Sequence, residues 1–95
     1  MRLVFPSSVR KEAREAINHY EVERPGLGDL LWKELDAAVR WIVANPKVPR
    51  LRPHDYRRVN LRYFPYFVAY ALRGEDVVLL AIGHGARKPE YWIEP

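Results

Sequence analysis

The densest run of side chains able to do chemistry lies near the C-terminus, in His84-Gly85-Ala86-Arg87-Lys88-Pro89-Glu90-Tyr91-Trp92. It follows an apolar, strand-like segment directly, and a strand end is a rigid place from which to present His84 and Arg87. If RNA were the substrate, a 2′-hydroxyl would attack the adjacent phosphate. That reaction needs a proton acceptor, a proton donor for the leaving 5′ oxygen, and cations for the developing negative charge. His84 or Tyr91 could move the protons, and Arg58, Arg62 and Arg87 could stabilise the charge without a metal or a cofactor. Each residue also has a plainer role. His84 can be a strand-end histidine satisfied by backbone, Arg87 can pair with Glu90 or a helix carboxylate, and Tyr91 and Trp92 can form an aromatic latch over a sheet.

Composition removes most other chemistries. The 95 residues contain no cysteine, so there is no thiol nucleophile, disulfide or thiolate zinc site. Ser7 and Ser8 are the only serines and threonine is absent, which leaves almost nothing for hydroxyl-nucleophile catalysis. His19 and His54 have no partners at metal-ligand spacing. Hydrophobic residues make up 48%, enough for one core and too many for a disordered chain, so residues 1–95 are expected to form a single domain. No apolar run approaches a membrane span and the N-terminus lacks the apolar core of a signal peptide, which leads to the expectation of a soluble cytoplasmic protein with no membrane partner.

The net charge of +4 is concentrated. Residues 1–46 balance seven cations with seven anions, whereas 47–95 carry nine against five. Lys47, Arg50, Arg52, Arg57, Arg58 and Arg62 fall within sixteen residues that hold one acid, Asp55. With Arg87 and Lys88 they form a candidate surface for nucleic acid or for an acidic protein target; the plainer reading is a solvated, charge-guarded strand edge.

These residues must be positioned by elements that the hydrophobic period reveals. Arg2–Phe5 reads as a short strand stopped by Pro6, with Ser7 or Ser8 capping a helix to about Arg24. Val9, Ala13, Ala16, Ile17 and Tyr20 form its apolar stripe. Arg24-Pro25-Gly26-Leu27-Gly28 is a turn, and a second helix to about Asn45 places Leu27, Leu31, Leu35, Ala38 and Ile42 inside, with Trp32 and Trp41 flanking the core. The period then changes from 3.6 to 2. Val59, Leu61 and Tyr63 alternate with Arg58, Asn60 and Arg62, and two further strands, 67–72 and 77–82, are joined by the turn Arg73-Gly74-Glu75-Asp76. The expected fold is α+β: a two-layer domain with a small antiparallel sheet on a helical hairpin, in the order β-α-α-β-β-β.

Both final strands are apolar on both faces, whereas one hairpin covers one face. Residues 88–95 are too few to cover all of the other. Tyr66, Val68, Tyr70 and Trp92 are therefore expected to meet a protein partner or a second copy of the chain.

With these segments in view, the sequence resembles the RelE/ParE superfamily of bacterial toxins from type II toxin-antitoxin modules, and within it the ParE-like, plasmid-stabilisation branch. The resemblance spans nearly the whole chain. It rests on the element order and on "RPGLG" at 24–28, "IVANP" at 42–46, "RYFPYFVAY" at 62–70 and "HGARKPEYW" at 84–92. It implies a small toxin that arrests growth until a cognate antitoxin wraps it, in a homodimer or a toxin–antitoxin hetero-oligomer. ParE-like members poison DNA gyrase; RelE-like members enter the ribosome and cut messenger RNA with basic residues and a tyrosine. The RelE-type positions would fall on Arg58 or Arg62, Arg87 and Tyr91. Arginines stand here in place of the lysine-rich catalytic stretch, and arginine is no general acid near neutral pH. Gyrase binding is the first expectation, a ribosome-dependent endoribonuclease the second, and an inactive member or basic nucleic-acid-binding module the third.

Overall fold

Pro6 ends the first extended segment and opens the first helix. In the computed structural model, which describes residues 1–88 and 90–93, the elements are β1 (Arg2–Val4), α1 (Ser7–Glu23), α2 (Leu27–Ala44), β2 (Arg57–Asn60), β3 (Tyr66–Arg73) and β4 (Asp76–His84). Pro6 itself occupies the N-cap of α1, and its carbonyl accepts from the N–H groups of Val9 and Arg10. No side chain caps this helix. Ser7 and Ser8 cannot do so because they already lie in its first turn, one and two residues past the cap.

The turn between the helices is held by a carboxylate that sequence reasoning did not single out. Glu21, in the last turn of α1, accepts from the backbone N–H groups of Gly26 and Gly28 at 3.0–3.1 Å and thereby satisfies free donors at the start of α2. Gly26 has φ +91°, a conformation natural to glycine. At Gly28 the reason is space: a Cβ would come within 2.6 Å of the Ile17 carbonyl oxygen. The two helices can cross closely only because that atom is missing.

The sheet order is β1-β4-β3-β2. β2, β3 and β4 form an antiparallel meander, but β1 runs parallel to β4, with Leu3 opposite Val77. The sheet is therefore mixed rather than purely antiparallel, because the hairpin intervening between β1 and the meander brings the chain back in the same direction. β2 is shorter than the alternation of Val59, Leu61 and Tyr63 predicts. Glu34 of α2 captures the N–H groups of Arg62 and Tyr63, which turns the chain out of the strand and leaves Tyr63 78% exposed.

A bulge decides what faces what in β4. Tyr70 pairs with Leu79 and Ala69 with Ala81, so Leu80 is an extra residue. Val77 and Leu79, and beyond the bulge Ile82, consequently all join the cluster under the helices, together with Val68 and Tyr70 of β3. Val68 and Tyr70 are fully buried, and the Tyr70 hydroxyl donates to the Pro46 carbonyl at the end of α2. They cannot meet a partner, contrary to expectation, because the helical hairpin lies on their face of the sheet. Phe67, Ala69 and Ala81 point the other way and form a second cluster with Tyr56, packed by Leu80, Tyr91, Trp92 and Ile93. Large aromatic rings let this short segment cover more of the sheet than its length suggests.

Candidate functional site

The strand end that carries His84 is locked to α1. Glu12 accepts the Ile82 N–H through Oε1 at 3.0 Å and the Tyr91 hydroxyl through Oε2 at 2.6 Å. Gly83 makes room for this: a Cβ there would lie 2.5 Å from the Tyr91 hydroxyl and 2.9 Å from Phe67. Arg87 stacks over the Tyr91 ring, 3.6 Å from its centroid, rather than forming an ion pair among the described residues. Burial, and then the hydrogen bond to the Glu12 carboxylate, push the Tyr91 hydroxyl well above its ordinary pKa. It holds its proton.

His84 is committed as well. Its Nδ1 accepts the Ala86 N–H at 2.9 Å, which places the proton of the neutral ring on Nε2. The ring meets Tyr66 edge-on at 5.2 Å. The notch beside it, about 180 Å³, is lined by Glu12, Glu15, Tyr66, Gly83, His84 and Arg87. Among the described residues, no three acidic or histidine side chains are grouped as ligands of a metal ion would be.

The cations of residues 47–62 are held in different ways. Arg57 donates from Nη1 to the Lys47 and Pro49 carbonyls at 3.1 and 2.7 Å, so it staples its own loop. Arg58 projects onto the sheet face away from the helices, 4.0 Å over the Phe67 ring, and its Nε donates to Asn60 Oδ1. Burial and the neighbouring charge of Arg52 both lower its pKa. Arg62 sits instead beside α2, through its backbone contact with Glu34. Lys47, Arg50, Arg62, Arg87 and Lys88 are exposed. Of the candidate catalytic residues, the structure brings Arg87 into contact with Tyr91 and sets His84 beside Arg87 in one notch; Arg58 lies over Phe67, and the Arg62 backbone is held by Glu34 of α2.

An apolar groove lies elsewhere, between β1 and the helices. It has a volume of about 240 Å³, and Leu3, Phe5, Ile17, Trp32, Leu35 and Val39 line it. Trp32 is half-exposed, as is Trp41 outside the groove, so neither is the core flank its helical position predicts. The groove was not legible in the sequence because Leu3 and Trp32 become neighbours only through the parallel pairing of β1 with β4. The one local signal was an indole set beside, rather than on, the apolar stripe of α2.

A hairpin of helices on a four-stranded mixed sheet, with a strand end closed by an aromatic segment, defines a small two-layer α+β fold. A solved structure titled "Chromosomal ParDE TA system from P. aeruginosa" shares it: the TM-score is 0.77 at 19% identity, over 88% of this chain and 95% of that one. The family model described as "ParE toxin of type II toxin-antitoxin system, parDE" matches residues 3–89. Two curated proteins called Toxin ParE2, from Mycobacterium tuberculosis strains CDC 1551 / Oshkosh and ATCC 25618 / H37Rv, are each 32% identical over 89 residues, covering 93% of this chain and 85% of theirs. The chain belongs to the ParE toxin family of type II toxin-antitoxin systems, within the RelE/ParE superfamily. No described helix is long and apolar enough to cross a membrane.

Proposed function

We propose that this toxin arrests growth by binding a protein target, DNA gyrase, rather than by cutting RNA, and that a cognate antitoxin neutralises it. The observation that carries the reading is the Tyr91–Glu12 hydrogen bond at 2.6 Å beneath Arg87. A nuclease of the superfamily would need Tyr91 or His84 to exchange a proton. Here burial and the hydrogen bond to a carboxylate keep the tyrosine protonated, the histidine accepts a backbone N–H, and the arginines cannot replace them.

The antitoxin seat is the groove of Leu3, Phe5, Trp32 and Val39, in place of the buried Val68 and Tyr70. It combines open apolar area with the short edge strand β1, whose outer side is unpaired among the described residues. An apolar segment of the antitoxin would cover it.

Two assays on the purified chain decide the target. Supercoiling by gyrase is expected to be inhibited, while messages in a translating extract keep intact 5′ ends. Codon-positioned cuts that disappear in the His84→Ala/Tyr91→Phe double variant would overturn the reading in favour of the endoribonuclease.

A further inference from the structure

The two flanks of α2 serve different neighbours. Trp32, Asp36 and Val39 line the apolar groove beside β1, whereas Leu30, Glu34, Ala37 and Trp41 recur at steps of four, three and four and form a stripe on the opposite flank. Two ties set β2 beside that second flank. Glu34 accepts the N–H groups of Arg62 and Tyr63 just beyond β2, and Arg57 of β2 donates to the Lys47 and Pro49 carbonyls just beyond α2. Leu30, Trp41, Val48 and Tyr63 are all exposed. Lys47 and Arg62, one at each tie, are exposed and form no ion pair among the described residues. β2 is also the last strand of the sheet. The Leu61 N–H bonds to the Tyr66 carbonyl, so by the alternation of an antiparallel pair Arg57 and Val59 turn their main-chain groups toward β3, while Arg58 and Asn60 turn theirs outward. The Arg58 guanidinium is folded back over Phe67 and does not stand across this edge.

We propose that the Leu30–Trp41 flank of α2 and the outer edge of β2 form one docking surface for an acidic, extended segment of the toxin's protein target, which adds a strand to β2 and lays apolar side chains against Trp41 and Tyr63. The inference rests on the reading that this toxin acts by binding a protein. Outward N–H and C=O groups at a strand edge are matched by another polypeptide backbone. Neither a bilayer nor a nucleic-acid backbone offers that alternation of donors and acceptors. The segment is acidic because Lys47 and Arg62 stand unmatched, whereas the carboxylate of this flank, Glu34, already holds two backbone N–H groups. A second copy of the chain does not fit: two-fold pairing of β2 with itself would set Arg57 and Arg58 of the two copies against one another. The surface lies on the other flank of α2 and the other edge of the sheet from the groove and β1, so the antitoxin seat is separate from it.

Three single variants of the full chain, Trp41→Ala, Arg62→Glu and the groove variant Trp32→Ala, are compared with the parent by inhibition of gyrase supercoiling, by affinity for the antitoxin and by a thermal melt. Trp41→Ala and Arg62→Glu should each weaken inhibition by about tenfold or more while melting and binding antitoxin like the parent; Trp32→Ala should weaken antitoxin binding and leave inhibition in place. Hydrogen exchange reads the added strand directly. The Arg58 and Asn60 amides should be protected in the gyrase-bound toxin and should exchange as in the free chain when antitoxin is bound. If Trp41→Ala melts early, Arg62→Glu and the exchange pattern still decide the matter. Inhibition unchanged in both variants, unprotected amides at 58 and 60 in the gyrase complex, or a loss of antitoxin affinity in place of inhibition overturns the proposal. A parent chain that leaves gyrase untouched refutes the gyrase reading instead, and growth arrest then judges the surface. Folded, antitoxin-binding Trp41→Ala and Arg62→Glu proteins that no longer arrest growth support it; the same proteins arresting growth like the parent overturn it.

Discussion

The hydroxyl of Tyr91 donates to Glu12 Oε2 across 2.6 Å, joining the C-terminal aromatic segment to the first helix while the other oxygen of Glu12 holds the Ile82 N–H. One helix carboxylate thus fixes a strand end and the segment that covers the far face of the sheet. Tyr91→Phe removes one bond and should cost about 1 kcal/mol. Glu12→Ala leaves a partly buried hydroxyl and a backbone N–H without acceptors and should cost about 2–3 kcal/mol. Urea unfolding of the two variants checks the order. If toxicity rests on binding alone, the Tyr91→Phe protein should still arrest growth.

Gly83→Ala tests the same closure from beneath. Its methyl would press on the Tyr91 hydroxyl and the Phe67 ring, 2.5 and 2.9 Å away, so the aromatic segment must shift. A loss of about 1–3 kcal/mol is expected, together with a red shift of Trp92 emission as that indole becomes wetter. Comparison with the Trp92→Phe background isolates its signal from Trp32 and Trp41.

Burial raises the pKa of Tyr56, Tyr66, Tyr70 and Tyr91 above the ordinary 10.0, and hydrogen bonds to carboxylates add to the effect at Tyr56 and Tyr91. Above pH 10 the unfolded chain releases these protons while the folded chain retains them. Fewer protons bound in the unfolded state means that stability falls as pH rises. Urea midpoints should therefore drop beyond pH 10, with little contribution from these groups below it. The Tyr91→Phe variant, lacking one of the shifted groups, should show the shallower decline.

Trp32 stands half-exposed in the groove against β1. Trp32→Ala should weaken antitoxin binding about 10- to 100-fold, as loss of a central aromatic anchor does, while changing the stability of the free toxin by only about 1 kcal/mol or less. Calorimetric titration beside a thermal melt separates the two effects. A melt that collapses with the affinity would place Trp32 in the fold and not at the interface.

Much of the fold was legible in local pattern. The helix stripes, the turn at Pro25-Gly26, the change of period near Arg57 and the β-α-α-β-β-β order needed only neighbours in sequence, since 3.6- and 2-residue spacing reflects which side of an element meets water. The close helix crossing at Gly28 was less visible, because the atom that matters there is a missing one.

The site was less legible because its relationships are long-range. Sequence by itself determined which segments are helix and strand, the bias of charge toward residues 47–95, and the absence of thiol chemistry. Tertiary structure alone decided that Val68 and Tyr70 lie beneath the helices, and that Leu80 bulges so that Ile82 joins Val77 and Leu79 on that side. It also paired Tyr91 with Glu12, seventy-nine positions away. A strand that is apolar on both faces does not encode which face a helix will take, and a carboxylate's partner depends on where the chain returns. Both are settled only when the layers pack.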